Sequence, residues 1–336
     1  MAGMEIYSNP KTLKESERRV KGCRLAFTTC IGAGIGLLRK QSFEVVVIDE
    51  ASQQTEPASF VPLTKGCQRA LLVGDHVQLR PTVQRLAAAL DFDVSLFERL
   101  YKQPAESDST DGIPKLMLDT QYRMHPSICK FSSDQFYDGK LHTGIMAVDR
   151  PLGLSSFPWP EDKMNKKDKI RTVFIPCDIK EGSIGQKSKM NEGQAVLCQR
   201  VCKLLSTPAQ TTSSEAKQDI SAAALEQSIA VLTPYARQLE VLKGKLAGMK
   251  NIEASSIDGY QGREADIVVF VTTRCNVGCE IGFLKDLRRM NVALTRARAG
   301  LIVIGHRETL TQGTADPEST AMWKQLLTSL TEVTMN

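Results

Sequence analysis

The stretch FEVVVIDEAS, residues 43–52, decides the fold because a run of valine and isoleucine ends directly in two carboxylates. A short strand that is apolar on both faces is typical of a parallel sheet buried between layers of helices. Open α/β sheets bind their ligands at the carboxyl ends of such strands, where Asp49 and Glu50 stand. The stretch therefore predicts a buried strand of an α/β protein, with two carboxylates placed where a nucleotide site would need them.

The same pattern returns along the chain as short apolar runs that alternate with segments of helical spacing. Strands are predicted at 43–51, 69–75, 115–123, 171–179, 228–235, 266–274 and 300–306. Helices are predicted at 84–101, 126–137, 191–206, 236–247 and 288–298. This alternation predicts a doubly wound α/β fold whose sites lie at the carboxyl ends of the strands.

Length and composition predict two globular domains. At roughly 150 residues per domain, a chain of 336 residues corresponds to about two domains. Its 42% hydrophobic and 24% charged residues are typical of a globular protein. The polar stretch QPAESDSTDGI (103–113) predicts a linker, so we expect domains at 1–105 and 106–336. Residues 160–170 are predicted to form a charged loop, and residues 206–224 a low-complexity insertion.

Charge and cysteine content narrow the classes of partner. The formal net charge of +5 permits a nucleic-acid partner without requiring one. No apolar run is long enough for a membrane span, and the first residues have no apolar run typical of a signal peptide. The nine cysteines are scattered, which favours reduced thiols in a cytoplasmic or nuclear protein. We expect no membrane partner and no zinc site, and no feature indicates a homo-oligomer.

Two motifs follow the first two predicted strands. In IDEAS (48–52), Asp49 can hold Mg²⁺ and Glu50 can orient or deprotonate an attacking water. In GDHVQLRP (74–81), Gln78 can sense a γ-phosphate or position water. Taken alone, each motif also fits an ordinary strand end or tight turn.

Three further blocks carry arginine, glycine and glutamate. QYRMHP (121–126) presents Arg123, which can act as an arginine finger or as a surface ion-pair partner. SSIDGYQGREAD (255–266) presents Gly262 for close backbone approach and Glu264 for a ribose hydroxyl. In RRMNVALTRARAG (288–300), Arg289 and Arg296 are seven residues apart and are predicted to share one helix face. A solvated basic helix is the alternative interpretation of that block.

Together, in this order and at these spacings, the five blocks resemble motifs II to VI of superfamily 1 helicases. Their form resembles the up-frameshift, senataxin and DNA replication helicase-nuclease-like branch, as do TTCIGAG (28–34), TPY (233–235) and FYDGKL (136–141). The resemblance covers about residues 20–330. It implies a RecA-like P-loop NTPase fold, with ATP and Mg²⁺ as cofactors. It also implies single-stranded RNA or DNA as the partner, along which the protein would move from 5′ to 3′.

The resemblance also implies roles for individual residues. Asp49 would bind Mg²⁺, Glu50 would be the catalytic base, and Gln78 would couple the γ-phosphate to motion. Arg123 and Arg296 would be arginine fingers, Glu264 a ribose contact and Gly262 a backbone contact near the phosphate. The residues implied to lie along the single strand are Thr28, Thr29, Thr233, Pro234, Tyr235 and Ser256. Tyr235 is the predicted base-stacking side chain, with a tyrosine at the edge of the core as the alternative.

The chain departs from that family pattern because the sequence contains no P-loop, G-x-x-x-x-G-K-[ST]. In IGAGIG (31–36) no lysine follows, and Leu37 also breaks the dinucleotide-binding fingerprint. In GSIGQKS (182–188), Gln186 separates the glycine from the lysine. We therefore expect a truncated first RecA-like domain followed by a complete second one, with a natural protein that lacks a P-loop as the alternative.

Two functions remain open at this point. The first is the C-terminal portion of an ATP-dependent helicase that translocates on single-stranded RNA or DNA. The alternative is a helicase-like module without ATPase activity that binds nucleic acid or a protein.

Overall fold

The chain divides into two units, Met1–Leu116 and Met117–Asn336. The structure is a computed structural model, and it describes residues 12–103, 113–163, 168–183, 188–209 and 227–335. The predicted domain boundary at 105/106 and most of the predicted linker lie outside the described residues. So do parts of the predicted charged loop at 160–170, of the stretch 182–188 and of the predicted insertion at 206–224. Each unit is described below by itself.

The first unit contains one parallel pair of strands with short helices around it. Its elements are α1 (Leu13–Gly22), β1 (Val45–Ile48), α2 (Glu56–Leu63), β2 (Arg69–Leu72), α3 (Arg85–Ala88) and α4 (Leu96–Lys102), with short 3-10 turns at Gly32–Gly34, Gly36–Leu38 and Ala51–Gln53. β1 pairs with β2 in parallel, from Val45 opposite Arg69 to Ile48 opposite Leu72. The two strands therefore end side by side.

The β1 strand buries only one of its faces. Val46 and Ile48 are buried and form a small core with Ala51. Val45 and Val47 point the other way and are each 61% exposed. The prediction of a strand buried on both faces is therefore wrong for β1 within the described residues, because strand side chains alternate between two faces and only one of them is packed here.

The predicted helix over 84–101 is two helices in the structure. α3 ends at Ala88, and Asp91 then adopts a left-handed backbone with φ of 56°. Aspartate tolerates that conformation better than most residues, and it turns the chain. Ser95 starts α4 as its N-cap, since its hydroxyl accepts a hydrogen bond of 3.0 Å from the Glu98 N–H.

The second unit holds the larger sheet. Its strands are β3 (Thr120–Gln121), β4 (His142–Thr143), β5 (Thr172–Pro176), β6 (Gly182–Ser183), β7 (Lys189–Met190), β8 (Ile229–Thr233), β9 (Ile252–Ser256), β10 (Ala265–Val271), β11 (Ala297–Gly305) and β12 (Thr331–Glu332). Its helices are α5 (Pro126–Phe136), α6 (Glu192–Ser206), α7 (Ala236–Lys245), α8 (Leu287–Leu294), α9 (Arg307–Thr311) and α10 (Pro317–Ser329), with 3-10 turns at Ala147–Asp149, Asp258–Tyr260 and Gly282–Lys285.

Six of these strands form one sheet in the order β12-β5-β11-β10-β8-β9. All neighbouring pairs are parallel. One face of the sheet packs against α6 and α7, where Val231, Val269 and Ile302 are fully buried. On the other face, Phe270 packs on Trp323 of α10 with ring centroids 5.9 Å apart. The predicted doubly wound α/β fold is confirmed.

Two predicted elements of this unit are wrong. Of the strand predicted at 115–123 only Thr120–Gln121 forms, and Leu116 and Leu118 are 86% and 78% exposed. The helix predicted at 288–298 ends at Leu294, because Thr295 caps it and β11 begins at Ala297. Arg296 therefore lies between helix and strand, and the prediction that it shares a helix face with Arg289 is wrong.

Within the part of the chain that the structure describes, no helix combines the length and the apolar character that a membrane span requires.

The packing of α10 makes a stability prediction. Trp323 is fully buried and its indole N–H donates a hydrogen bond of 3.0 Å to the Leu284 carbonyl. We expect Trp323→Ala to lower the free energy of unfolding by about 3–5 kcal/mol, because it leaves a cavity and an unpaired carbonyl. Urea unfolding followed by circular dichroism measures this. The control Val277→Ala truncates a side chain that is 87% exposed and should change stability by less than about 0.5 kcal/mol. Equal urea midpoints for the two variants would contradict the prediction.

Candidate functional site

Asp49 and Glu50 directly follow β1 and are both exposed. Glu50 adopts a left-handed backbone with φ of 50°, and its N–H donates a hydrogen bond of 2.9 Å to Asp49 Oδ1. The Glu50 carboxylate in turn accepts a hydrogen bond of 2.7 Å from the Gln53 side chain. Non-glycine residues held in this backbone region are frequent at functional sites. The turn therefore presents two carboxylates to solvent at the carboxyl end of a strand.

The turn after β2 packs against the turn after β1. A side chain at Gly74 would come within 2.8 Å of the Ser52 backbone nitrogen, so only glycine fits there. The Asp75 N–H donates to the Ser52 hydroxyl at 3.2 Å, and Gln78 Nε2 donates to Asp75 Oδ2 at 2.6 Å. The structure thus brings Asp49, Glu50 and Gln78 to the ends of adjacent parallel strands.

Thr28 and Thr29 lie elsewhere in the first unit, beside the turn that begins at Gly32. Both threonines are exposed. The Thr29 hydroxyl accepts a hydrogen bond of 3.0 Å from the Gly32 N–H, and a side chain at Gly32 would come within 2.5 Å of the Thr28 hydroxyl. Their implied contact with a single strand remains a prediction.

In the second unit, Arg123 and Glu264 form an ion pair. Arg123 Nε donates to Glu264 Oε2 at 2.7 Å, and Arg123 Nη1 donates to the Thr295 carbonyl at 3.3 Å. The backbone holds Arg123 in place because the His125 N–H donates to the Arg298 carbonyl of β11 at 2.8 Å. Two residues with separate predicted roles toward a nucleotide are therefore each other's partners in this structure.

Arg296 lies next to this pair and is 2% exposed. Its guanidinium donates to the Val292 carbonyl at 3.1 Å, the Arg263 carbonyl at 3.4 Å and the Thr295 hydroxyl at 3.0 Å. These three acceptors carry no formal charge. Arg123 and Arg296 therefore both contact Thr295, the first through its carbonyl and the second through its hydroxyl.

The group of Arg123, Glu264 and Arg296 lies at the amino ends of strands. Glu264 precedes β10 and Arg296 precedes β11, and the Ala265 N–H donates to the Arg296 carbonyl at 3.1 Å. The expectation that the sites lie at carboxyl ends is therefore wrong for these residues. Gly262, close by in sequence, has φ of 76° and open space around its missing side chain, so its backbone is accessible.

A different group lies at the carboxyl edge of the same sheet. A cavity of about 100 Å³ is lined by Pro234, Ser256, Ile257, Asp258, Phe283 and Arg289. Arg289 is held there by Asp258, at 2.9 and 3.0 Å, and by Asp286 at 3.1 Å. Of the residues implied to contact a single strand, Pro234 and Ser256 line this cavity.

Thr233 and Tyr235 are buried instead. Thr233 is fully buried, with its hydroxyl 3.1 Å from the Thr273 hydroxyl. Tyr235 is 3% exposed, so its ring offers no face to a nucleic-acid base. This burial does not suit the stacking role predicted for Tyr235 and suits the alternative, a tyrosine at the edge of the core. Burial raises the pKa of the Tyr235 hydroxyl, while the hydrogen bond from Arg274 acts in the opposite direction.

Sequence reasoning missed two residues of this edge. Phe283 is 53% exposed and lines the cavity. Glu181 is a carboxylate whose pKa burial would raise, but hydrogen bonds from Arg274, the Cys275 N–H and Asn276 hold it below the ordinary value. The signal for Phe283 was weak, since it was one aromatic side chain in CEIGFLKD, outside the helical spacing that follows.

The six-stranded parallel sheet with helices on both faces defines a doubly wound α/β protein. The chain belongs to the AAA domain family: one family model of that description matches residues 92–308, and a second matches residues 5–85. The resemblance to superfamily 1 helicases of the up-frameshift branch is thereby confirmed, as the relatives below also show.

Three relatives illustrate the similarity. The Regulator of nonsense transcripts 1 homolog of Drosophila melanogaster is 36% identical over 313 residues, 90% of this chain and 24% of the relative. The homolog of the same name from Arabidopsis thaliana is 32% identical over 97% of this chain and 24% of the relative. The ATP-dependent helicase NAM7 of Saccharomyces cerevisiae is 33% identical over 89% of this chain and 28% of the relative. The chain thus spans about a quarter of the length of these curated relatives.

His125 of QYRMHP gives a pH prediction. Burial, and then the charge of Arg171, lower the pKa of His125 from 6.5 to about 4, while Asp168 acts in the opposite direction. Because the native imidazole stays neutral and the unfolded one protonates near pH 6.5, stability is lost as the pH falls from 6.5 towards 4. At 1.36 kcal/mol per pKa unit, a shift from 6.5 to about 4 corresponds to a loss of at most about 3 kcal/mol attributable to His125.

The test compares the native chain with His125→Asn in urea unfolding at pH 7, 5.5 and 4.5. Asparagine also serves as an N-cap, where the His125 ring now accepts from the Ser127 N–H at 3.2 Å. The carboxylates titrate in both proteins, so the difference between the two curves isolates the histidine. A constant difference across this pH range would contradict the prediction.

Proposed function

We propose that this chain is part of an ATP-dependent helicase motor that moves along single-stranded RNA or DNA, from 5′ to 3′. The observation that supports it best is the convergence on Thr295 of two arginines from distant segments, Arg123 and Arg296, beside the exposed carboxylate of Glu264. Paired guanidinium groups of this kind stabilise the charge that develops on a transferred phosphoryl group.

The carboxylate pair of the first unit fits Mg²⁺, the metal that accompanies a nucleoside triphosphate. Asp49 supplies an exposed carboxylate of the kind that Mg²⁺ prefers, and Glu50, beside it, would orient or deprotonate water. Gln78 would report the state of the γ-phosphate, Arg123 and Arg296 would neutralise transition-state charge, and Glu264 would accept from a ribose hydroxyl. In this role Glu264 exchanges its present partner, Arg123, for the nucleotide.

Single-stranded nucleic acid is the proposed partner. Pro234 and Ser256 line the cavity at the carboxyl edge of the sheet, and Thr28 and Thr29 present hydroxyl groups in the first unit. Contacts of this type reach the phosphate backbone and tolerate any sequence. The nine cysteines are all free thiols, which suits a cytoplasmic or nuclear protein.

A second function is a helicase-like module that binds nucleic acid or a protein without hydrolysing ATP. The observation that favours it is the missing G-x-x-x-x-G-K-[ST] motif. Residues 1–336 as they stand would then bind a strand but not turn over ATP.

The proposed binding predicts a strong salt dependence. Log affinity of residues 1–336 for a mixed-sequence single strand should fall with log salt at about −0.7 per phosphate neutralised, since binding releases condensed counterions. Fluorescence anisotropy with a labelled strand, from about 50 to 200 mM salt, measures the slope. A blunt duplex of equal length is the control and should bind more weakly. An affinity that does not change over this range would contradict the proposal.

Residues 1–336 should also show no appreciable ATPase activity, with or without single-stranded RNA. Arginine fingers and a base act only on a γ-phosphate that is already held in line. Each charge-assisted hydrogen bond that a P-loop supplies contributes about 1.5–3 kcal/mol. Losing two or three of them weakens nucleotide binding by roughly 10² to 10⁶.

Phosphate release, assayed beside the yeast helicase NAM7 as a positive control, tests this expectation. Turnover comparable to that of the control would contradict it, provided that Glu50→Gln abolishes the activity and so excludes a contaminant.

A further inference from the structure

Phe283 stands out at the carboxyl edge of the second unit. It is a large apolar side chain, 53% exposed, in the short segment Gly282–Lys285 between β10 and α8. It lines the same cavity as Pro234 and Ser256, two residues implied to contact a single strand. The exposed aromatic ring beside Pro234 and Ser256 is therefore that of Phe283, whereas the sequence had predicted it to be that of Tyr235.

The hydroxyl of the buried Tyr235 fixes the backbone that carries Phe283. This oxygen accepts hydrogen bonds from the Phe283 N–H at 3.1 Å and from Arg274 Nη1 at 3.3 Å, and it donates one to the Ile281 carbonyl at 3.1 Å. The two rings are also in contact, with centroids 5.3 Å apart. Tyr235 thus uses all the hydrogen-bonding capacity of its hydroxyl to hold the segment that begins at Ile281.

Gly282 allows the backbone to pass close to the Tyr235 hydroxyl. It has φ of +57°, and a side chain there would lie 2.2 Å from Arg274 Nη1 and 2.6 Å from the Tyr235 hydroxyl. Only glycine combines that conformation with such a close approach. On the other side of Phe283, the Leu284 carbonyl accepts the indole N–H of Trp323 at 3.0 Å. Both neighbours of Phe283 are therefore fixed by buried groups.

Arg274 is itself held by a buried ion pair. Its Nε donates to Glu181 at 2.8 Å, and the side chains of Arg274 and Glu181 are 6% and 7% exposed. The same Glu181 oxygen accepts from the Cys275 N–H at 2.9 Å and from Asn276 at 3.1 Å. A half-exposed ring on a support this well determined loses little conformational freedom when a flat ligand packs on it.

We propose that Phe283 is the base-stacking residue of the second unit and that Tyr235 is its positioning residue. The inference rests on the proposed function, because the flat ligand is a base of the single-stranded nucleic acid. Any base presents a π face to an aromatic ring, so the contact tolerates any sequence. Pro234 and Ser256 lie in the same cavity wall and would border the stacked nucleotide.

The first test measures affinity for a labelled single strand with Phe283→Ala in residues 1–336. Loss of one stacked base should weaken binding by about 5- to 100-fold, whereas Phe283→Tyr should bind like the native chain. The matched control is Val277→Ala, which truncates an 87% exposed side chain between the same two elements and should bind normally. A strand of abasic sites should bind the native chain and Phe283→Ala equally, because it has no base to stack.

The outcomes separate the two proposals. If the native chain binds no single strand, both the proposed function and this inference fail. If the native chain binds and Phe283→Ala binds as tightly, the inference alone fails. The inference also fails if Phe283→Ala weakens binding to the abasic strand by the same factor, because the effect is then not stacking. Circular dichroism of each variant checks that the fold is intact.

A second test uses Phe283→Trp. The two native tryptophans, Trp159 and Trp323, are 7% and 0% exposed, so a soluble quencher acts mainly on the introduced indole. Adding a single strand should reduce its emission and protect it from acrylamide. If anisotropy shows binding while the emission and the quenching stay unchanged, Phe283 does not contact the strand.

A third test addresses Tyr235. Tyr235→Phe keeps the ring but removes the hydroxyl that holds the Phe283 backbone, and it should weaken binding several-fold. In the double variant with Phe283→Ala it should cause no further loss, because the hydroxyl acts through Phe283. Additive losses in this cycle would show that Tyr235 acts independently of Phe283 and would overturn its positioning role.

Discussion

The hydrogen bonding of β10 on both sides is the constraint on which the second unit depends. β10 lies between β8 and β11, with Val268 opposite Ala230 on one side and Leu301 on the other. Because a buried strand must pair its backbone groups, this register also fixes what stands at its two ends. Before β10 it sets Glu264 beside the segment of Arg296, and after β10 it sets Thr273 against Thr233.

The strands of the large sheet could be predicted because their signal is local. Contiguous valine and isoleucine suit a strand that is buried on both faces. β8 forms within its predicted segment, while β10 and β11 overlap theirs and begin one and three residues earlier. The segment 115–123 has a similar apolar content, yet Leu116 and Leu118 are exposed. Whether an apolar run finds a neighbouring strand is decided by the tertiary fold, which no local pattern contains.

In the candidate site, too, some features follow from local sequence patterns and others depend on the tertiary fold. Asp49, Glu50 and Gln78 follow two strands that are parallel neighbours, so their proximity follows from the pattern of the sequence. Arg296 was misplaced because the apolar spacing of α8 continues without interruption into β11, and no glycine or proline marks the change. The sequence also did not show that Phe283 is exposed and Tyr235 is buried. Hydrophobicity does not distinguish which of two rings is covered, and here the covered one is the ring whose hydroxyl has three partners.

The two groups of side chains in the second unit lie at opposite ends of one strand. Seven residues of β10, at about 3.3 Å each, separate the Arg123–Glu264 pair from the segment that supports Phe283 by roughly 23 Å. A close-packed interior transmits displacement without compressing. Because β10 is hydrogen-bonded to β8 and β11 along its length, the two groups keep a fixed separation, and neither can move along the sheet without breaking that pairing.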